Sequence, residues 1–137
     1  ASSTQKLQSL DLNGLNSLKE LDVSNLGITE LKNLPASLEK LNASYAEELQ
    51  SIDLSGLNSL KELYVLESGI TELKNLPPSL EKLDASFAKK LNRLNLNGLR
   101  FLKALDVSYS GITELKNIPP SLPKENINTE GTNIALN

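Results

Sequence analysis

Carboxylates, lysines and tyrosines are the reactive side chains this chain has to work with, because its 137 residues include no His, Cys, Met or Trp. Without thiolate or imidazole there is no Cys–His nucleophile, no zinc–thiolate site and no imidazole base. The remaining route to hydrolysis is a carboxylate pair. Asp84 and Asp106 lie 22 residues apart at equivalent points of a repeating pattern and would be neighbours on adjacent strands. A flat sheet gives such a pair no walled, desolvated pocket, and no D-x-D-x-D-G calcium loop is present. The expectation is therefore a protein that is not an enzyme and uses no cofactor and no metal.

The elements that position these residues come from a repeat. Residues 7–48, 49–90 and 91–132 superimpose at an offset of 42, aligning Gly14 with Gly56 and Gly98, Gly27 with Gly69 and Gly111, and Pro35 with Pro77 and Pro119. Each block divides into a 20-residue and a 22-residue unit, and the units run 18–37, 38–59, 60–79, 80–101 and 102–121, with 1–17 partial and 122–137 degenerate, all in one domain spanning 1–137. Thirty residues are leucine, spaced as L-x-x-L-x-[VA] and then at intervals of three, which fails as a helix period. A repeat of 20 to 29 residues with this spacing marks a leucine-rich repeat. Each unit is predicted to hold a short strand, a turn and an extended or 3₁₀ return. Stacked, the units form a right-handed solenoid with a parallel β-sheet on the concave face and convex segments containing little or no α-helix. Gly27, Gly69 and Gly111 are expected at a turn with positive φ, and Pro77-Pro78 and Pro119-Pro120 in the extended back.

The pairing of L-x-x-L-x-V-S with L-P-x-S-L resembles the short repeats of bacterial type III effectors, the YopM group and the repeat portion of the IpaH/SspH ubiquitin ligases, over residues 7–122. The resemblance implies a leucine-rich-repeat solenoid and a protein-binding role, in a bacterial protein that is secreted or delivered to a host. In two respects the chain departs from that pattern. The family's Asn at unit position 9 is replaced by Leu26, Ala46, Ser68, Ala88 and Ser110. The cysteine that the ligase module requires is missing, so the chain would match the recognition part alone.

Comparing the repeats with one another locates the candidate surface. Units 18–37 and 60–79 differ at five of twenty positions, Asp22/Tyr64, Ser24/Leu66, Asn25/Glu67, Leu26/Ser68 and Ala36/Pro78, and four of these fall at or just after the strand. Strand alternation turns positions 3, 5 and 7 outward, which puts Tyr64 and an exposed Leu66 on the sheet face. Tyr45, Phe87 and Tyr109 all occupy position 8. They read either as interface anchors or as padding at the strand ends. Glu20, Asp22, Glu62, Glu67, Asp84 and Asp106 outnumber Lys40 and Lys82 on this face, which favours a partner protein carrying a basic patch. The partner-binding set is thus Tyr45, Tyr64, Leu66, Glu67, Phe87, Tyr109, Glu62, Asp84 and Asp106.

Charge excludes other partners. Fourteen Lys/Arg against 17 Asp/Glu leave a net charge of −3, which gives no polybasic footprint for nucleic acid. No apolar run approaches the roughly 18 residues of a membrane span. Lys89, Lys90, Arg93, Arg100 and Lys103 form a local basic run without an acid and are expected to make a rim.

At the C-terminus, Glu125 takes the column of Leu41 and Leu83 and Pro123 enters the strand region. The ladder is therefore expected to stop there, with Ile127, Ile134 and Leu136 folding over the last turn. Residues Ala1 to Lys6 cover the other end poorly, and the start at Ala1 without any Met implies a processed or excised chain. The alternative to partner recognition is a structural scaffold that associates with itself through the N-terminal end.

Overall fold

A computed structural model describes residues 9–136. Along the described residues come β1 (Ser9–Asp11), β2 (Glu20–Asp22), β3 (Glu30–Lys32), β4 (Lys40–Asn42), β5 (Glu62–Tyr64), β6 (Lys82–Asp84), β7 (Arg93–Asn95), β8 (Ala104–Asp106), β9 (Glu114–Lys116), a 3₁₀ turn (Lys124–Asn126) and β10 (Ile127–Asn128). Among the described residues there is no α-helix. Six strands build one parallel sheet in the order β10-β8-β6-β5-β4-β2, one strand per coil. The middle residue of each strand points inward, so that Leu21, Leu41, Leu63, Leu83, Leu105 and Ile127 stack in register as the spine of the core. The solenoid is the one the repeat predicts.

Each 20-residue coil closes by a device readable in the L-P-x-S-L motif. The prolines Pro35, Pro77 and Pro119 are buried at the back corner, and their carbonyls accept the N–H of Leu38, Leu80 and Leu122 at 3.1, 3.1 and 3.0 Å. The serine that follows donates its hydroxyl to the carbonyl that began the unit: Ser37 to Leu18, Ser79 to Leu60 and Ser121 to Leu102, at 2.5, 2.6 and 2.8 Å. A carbonyl that would otherwise be an unpaired polar group at the core boundary is thereby satisfied.

Four features differ from what the sequence predicts. First, the back of the solenoid is not only extended: β1 pairs with β3, β7 pairs with β9, and Asp53 bridges Lys74, so parallel pairing recurs there every 42 residues. Second, the three glycines expected at positive φ divide. Gly27 has φ +65°, but Gly69 and Gly111 do not. They are required because a Cβ on either would collide with the backbone carbonyl of Glu47 or Lys89 on the preceding coil. That carbonyl forms a shoulder on the preceding coil.

Third, the ladder does not end at Glu125. Pro123 and the 3₁₀ turn take up two further residues, and Ile127 pairs with Leu105, continuing the inward column as β10. Ile134 and Leu136 pack against the core beyond it, as expected of a partial cap. The expected weak N-terminal end, Ala1 to Lys6, lies outside the described residues. Fourth, Lys89, Lys90, Arg93, Arg100 and Lys103 are all exposed but do not form one rim. They span most of a 22-residue coil, with Arg93 in β7 on the back, so the circuit of the chain spreads them around the solenoid.

Candidate binding surface

The strands are three residues long except the two-residue β10, so each offers two side chains to the front and β10 one. One column runs Glu20, Lys40, Glu62, Lys82, Ala104 and the other Asp22, Asn42, Tyr64, Asp84, Asp106, Asn128, at a spacing of about 4.8 Å per coil. Alternation stops there. Position 7 lies in the turn after the strand, where Ser44, Ser86 and Ser108 are buried and Leu66 is half-buried. The expectation of an exposed Leu66 is corrected on this point: its side chain leans toward the stack because the strand has already ended.

The second column has a structural function in every coil but one. The Oδ1 atoms of Asp22, Asn42, Asp84, Asp106 and Asn128 accept the backbone N–H two residues on, at 2.9–3.0 Å, closing an Asx turn that ends the strand. Asp84 and Asp106 are direct neighbours in register, as the sequence predicts, yet one oxygen of each is committed to its own turn. Tyr64 is the exception. It cannot cap, and the N–H of Leu66 is taken instead by the hydroxyl of Ser44 on the previous coil, at 3.2 Å. The Tyr64 hydroxyl donates to Glu62 Oε1 at 2.6 Å, and its ring lies between Lys40 Nζ at 5.7 Å and Lys82 Nζ at 5.5 Å. Burial, followed by the hydrogen bond and charge of Glu62 and the charge of Asp84, pushes the Tyr64 phenol up to about 12. The phenol therefore stays neutral. Asp84, Glu62 and Tyr64 thus converge on the centre of the sheet, Asp106 lies one strand beyond Asp84, and Leu66 sits at the margin.

Tyr45, Glu67, Phe87 and Tyr109 are not on this face. They follow the turn along one flank, all with left-handed backbone, at φ +64°, +48°, +60° and +55°; Asn25 holds the same column at +63°. Tyr45, Phe87 and Tyr109 remain 45%, 42% and 37% exposed. Each of the five donates its N–H to a carbonyl on the next coil, at 2.7–3.2 Å, so the flank has its own backbone ladder. Phe87 and Tyr109 stack with centroids 5.1 Å apart and planes 13° off parallel. The Tyr109 hydroxyl donates to Glu130 Oε2 at 2.9 Å, a contact that pushes its own titration upward.

Sequence reading did not identify Glu130 as the partner of Tyr109, nor the capping role of the Asp/Asn-x-Ser triplets. The second was legible: Asp22-x-Ser24, Asn42-x-Ser44, Asp84-x-Ser86 and Asp106-x-Ser108 repeat the Asx-turn signature. Position 9 keeps a hydrogen bond wherever it is serine, since Ser68 and Ser110 donate to Val65 and Val107 carbonyls at 2.8 and 2.7 Å.

The capping carboxylates give the fold a pH dependence. The Ser24 hydroxyl and backbone N–H hold Asp22 below the usual carboxylate range. On the back, Asn33 and the Asn13 N–H do the same for Asp11, and the N–H and hydroxyl of Ser55 for Asp53. A carboxyl whose folded pKa is depressed stabilises above its unfolded value and loses that contribution as pH falls through the folded one. Thermal unfolding followed by circular dichroism is expected to be flat above about pH 5 and to shift to lower temperature below about pH 4. Replacing all three by Asn, the residue already used at Asn42 and Asn95, is expected to flatten that fall while keeping the caps.

The solenoid is similar to a solved structure. YopM from Yersinia enterocolitica WA-314 superimposes with a TM-score of 0.75 and 37% sequence identity, over 91% of this chain and 27% of YopM. The chain thus spans about a quarter of that protein's length. No family profile matches the chain, and no curated protein matches it. A parallel-sheet solenoid of this repeat length and this likeness is a leucine-rich-repeat solenoid resembling the short-repeat effectors.

Proposed function

We propose that this leucine-rich-repeat solenoid is a non-catalytic recognition module that binds a partner protein through its front sheet face, centred on Tyr64, and that it is the recognition part of a secreted or host-delivered bacterial protein. The observation that carries this reading is a local exchange. Every other front strand ends in an Asp or Asn that caps its own turn, and the coil at 60–79 gives that cap up for Tyr64 and Leu66 while keeping the rest of the frame. The change places an aromatic side chain near the middle of the sheet, where a large, stiff side chain anchors an interface most effectively. Glu62, Asp84 and Asp106 surround the anchor with carboxylates that favour a basic patch on the partner and set its orientation and encounter rate. Asp84 and Asp106 line a concavity that is open to solvent, and one oxygen of each is already committed to its own turn, which supports a binding role over a hydrolytic one.

A capture experiment with the whole chain as bait and its Tyr64→Ala variant as control tests the reading. Proteins held by the parent chain and released by the variant support it. Identical sets from both baits, at unchanged unfolding temperature, overturn it.

A further inference from the structure

The flank column poses a separate question. A bulky aromatic residue with positive φ is a conformational outlier that costs free energy wherever Asn or Gly could stand instead, and it persists where the side chain is needed. Here three aromatics occur at such positions, and all three stay exposed. Burial does not account for them. Phe87 and Tyr109 cover each other, which leaves the outer face of Phe87 and the ring of Tyr45 on either side of Glu67.

We infer that Tyr45, Glu67 and Phe87 form a slot that receives a cationic side chain, an arginine or lysine, from a partner protein. The three residues occupy consecutive coils with matching backbone conformation, so the two aromatics stand two coil rises apart, about 10 Å, with a carboxylate between them. A group touching both rings needs about 7–8 Å between them. Exposed side chains close that difference by leaning toward the guest without backbone movement. No ion pair engages Glu67 among the described residues.

The slot already shows its preference. Lys89 Nζ lies 5.9 Å from the Phe87 centroid, over the ring. Lys89 is thus a cation already held at this ring, with which an incoming one competes, and the ring face together with the Glu67 carboxylate selects positive charge. The slot lies off the front sheet and stands or falls independently of Tyr64.

The test is a proton NMR titration of the whole chain with N-acetyl-arginine amide, using N-acetyl-citrulline amide as the uncharged match. Saturable shifts of the Tyr45 and Phe87 ring resonances are expected with the arginine probe alone. Lys89→Ala is expected to tighten binding about three- to fivefold by removing the competitor, and Glu67→Gln to weaken it by a similar factor. Tyr64→Ala is expected to leave the titration unchanged, which separates this site from the front face. Equal response to both probes, shifts that do not saturate, or a Lys89→Ala variant that binds no more tightly would overturn the slot. The Lys89 and Glu67 variants alter exposed side chains, so the outcome does not depend on whether Phe87→Ala folds.

Discussion

Gly69→Ala is expected to destabilise the fold by about 2–4 kcal/mol, and Gly111→Ala by a similar amount, measured by chemical denaturation. The added methyl meets the Glu47 carbonyl oxygen inside contact distance and lies 3.2 Å from the Leu49 oxygen. Both obstacles are backbone, so no side chain can swing away. The coil at 60–79 must retreat from the coil at 38–59, which stretches the bonds from the Gly69 and Thr71 N–H groups to the Ala46 and Gln50 carbonyls, now 3.1 and 3.0 Å. Overpacking costs about 1–3 kcal/mol and a weakened hydrogen bond adds about 1. Gly56→Ala is the control: φ is +82° but nothing lies within 4 Å of the added Cβ, so only the conformational cost of about 1–2 kcal/mol applies. Since a solenoid coil touches only its neighbours, the Gly69 variant is also expected to broaden the transition by uncoupling the two halves of the stack. Equal losses at Gly69 and Gly56 would show that close approach of the coils is not what the glycine serves.

The repeat made the fold legible because a periodic sequence reports the same inward positions again and again. Leu41, Leu63, Leu83 and Leu105 announce one another, and their register in the sheet is the register of the alignment. What the pattern hid were the points where one coil meets another. Gly27, Gly69 and Gly111 look identical in sequence, yet the latter two answer to the shoulder of the preceding coil and not to their own φ. Glu125 looked like the end of the ladder because the alignment kept its spacing, while the chain inserted a turn and let Ile127 resume the column. For the candidate surface, the residues were identifiable but their faces were not. A three-residue strand ends alternation at position 5, so Tyr64 belongs to the sheet while Tyr45, Phe87 and Tyr109 belong to the flank. No periodicity argument separates these groups, because the division depends on where the backbone turns left-handed.

The double substitution Tyr64→Asp with Leu66→Ser is expected to cost the partner at least about 30-fold in affinity while lowering stability by only about 0.5–2 kcal/mol. It rewrites the one divergent coil in the language of its neighbours, Asp22-x-Ser24, Asp84-x-Ser86 and Asp106-x-Ser108. Restoring the Asx turn gives the residue-66 N–H an acceptor within its own coil, where at present it relies on the Ser44 hydroxyl at 3.2 Å. A recovered cap is worth about 1 kcal/mol, which offsets part of the roughly 1.5–3 kcal/mol that the half-buried Tyr64 and Leu66 give up. A central aromatic anchor carries 2 kcal/mol or more, and 2 kcal/mol is about 30-fold in Kd. Truncation to alanine deletes the anchor without supplying a cap, whereas the repeat-restoring variant supplies the cap as it deletes the anchor. Paired measurement of the unfolding midpoint and of Kd for a captured partner separates the two effects. Retained affinity in the double variant would mean that the divergence at this coil is drift on an exposed surface, and that the partner docks elsewhere on the solenoid.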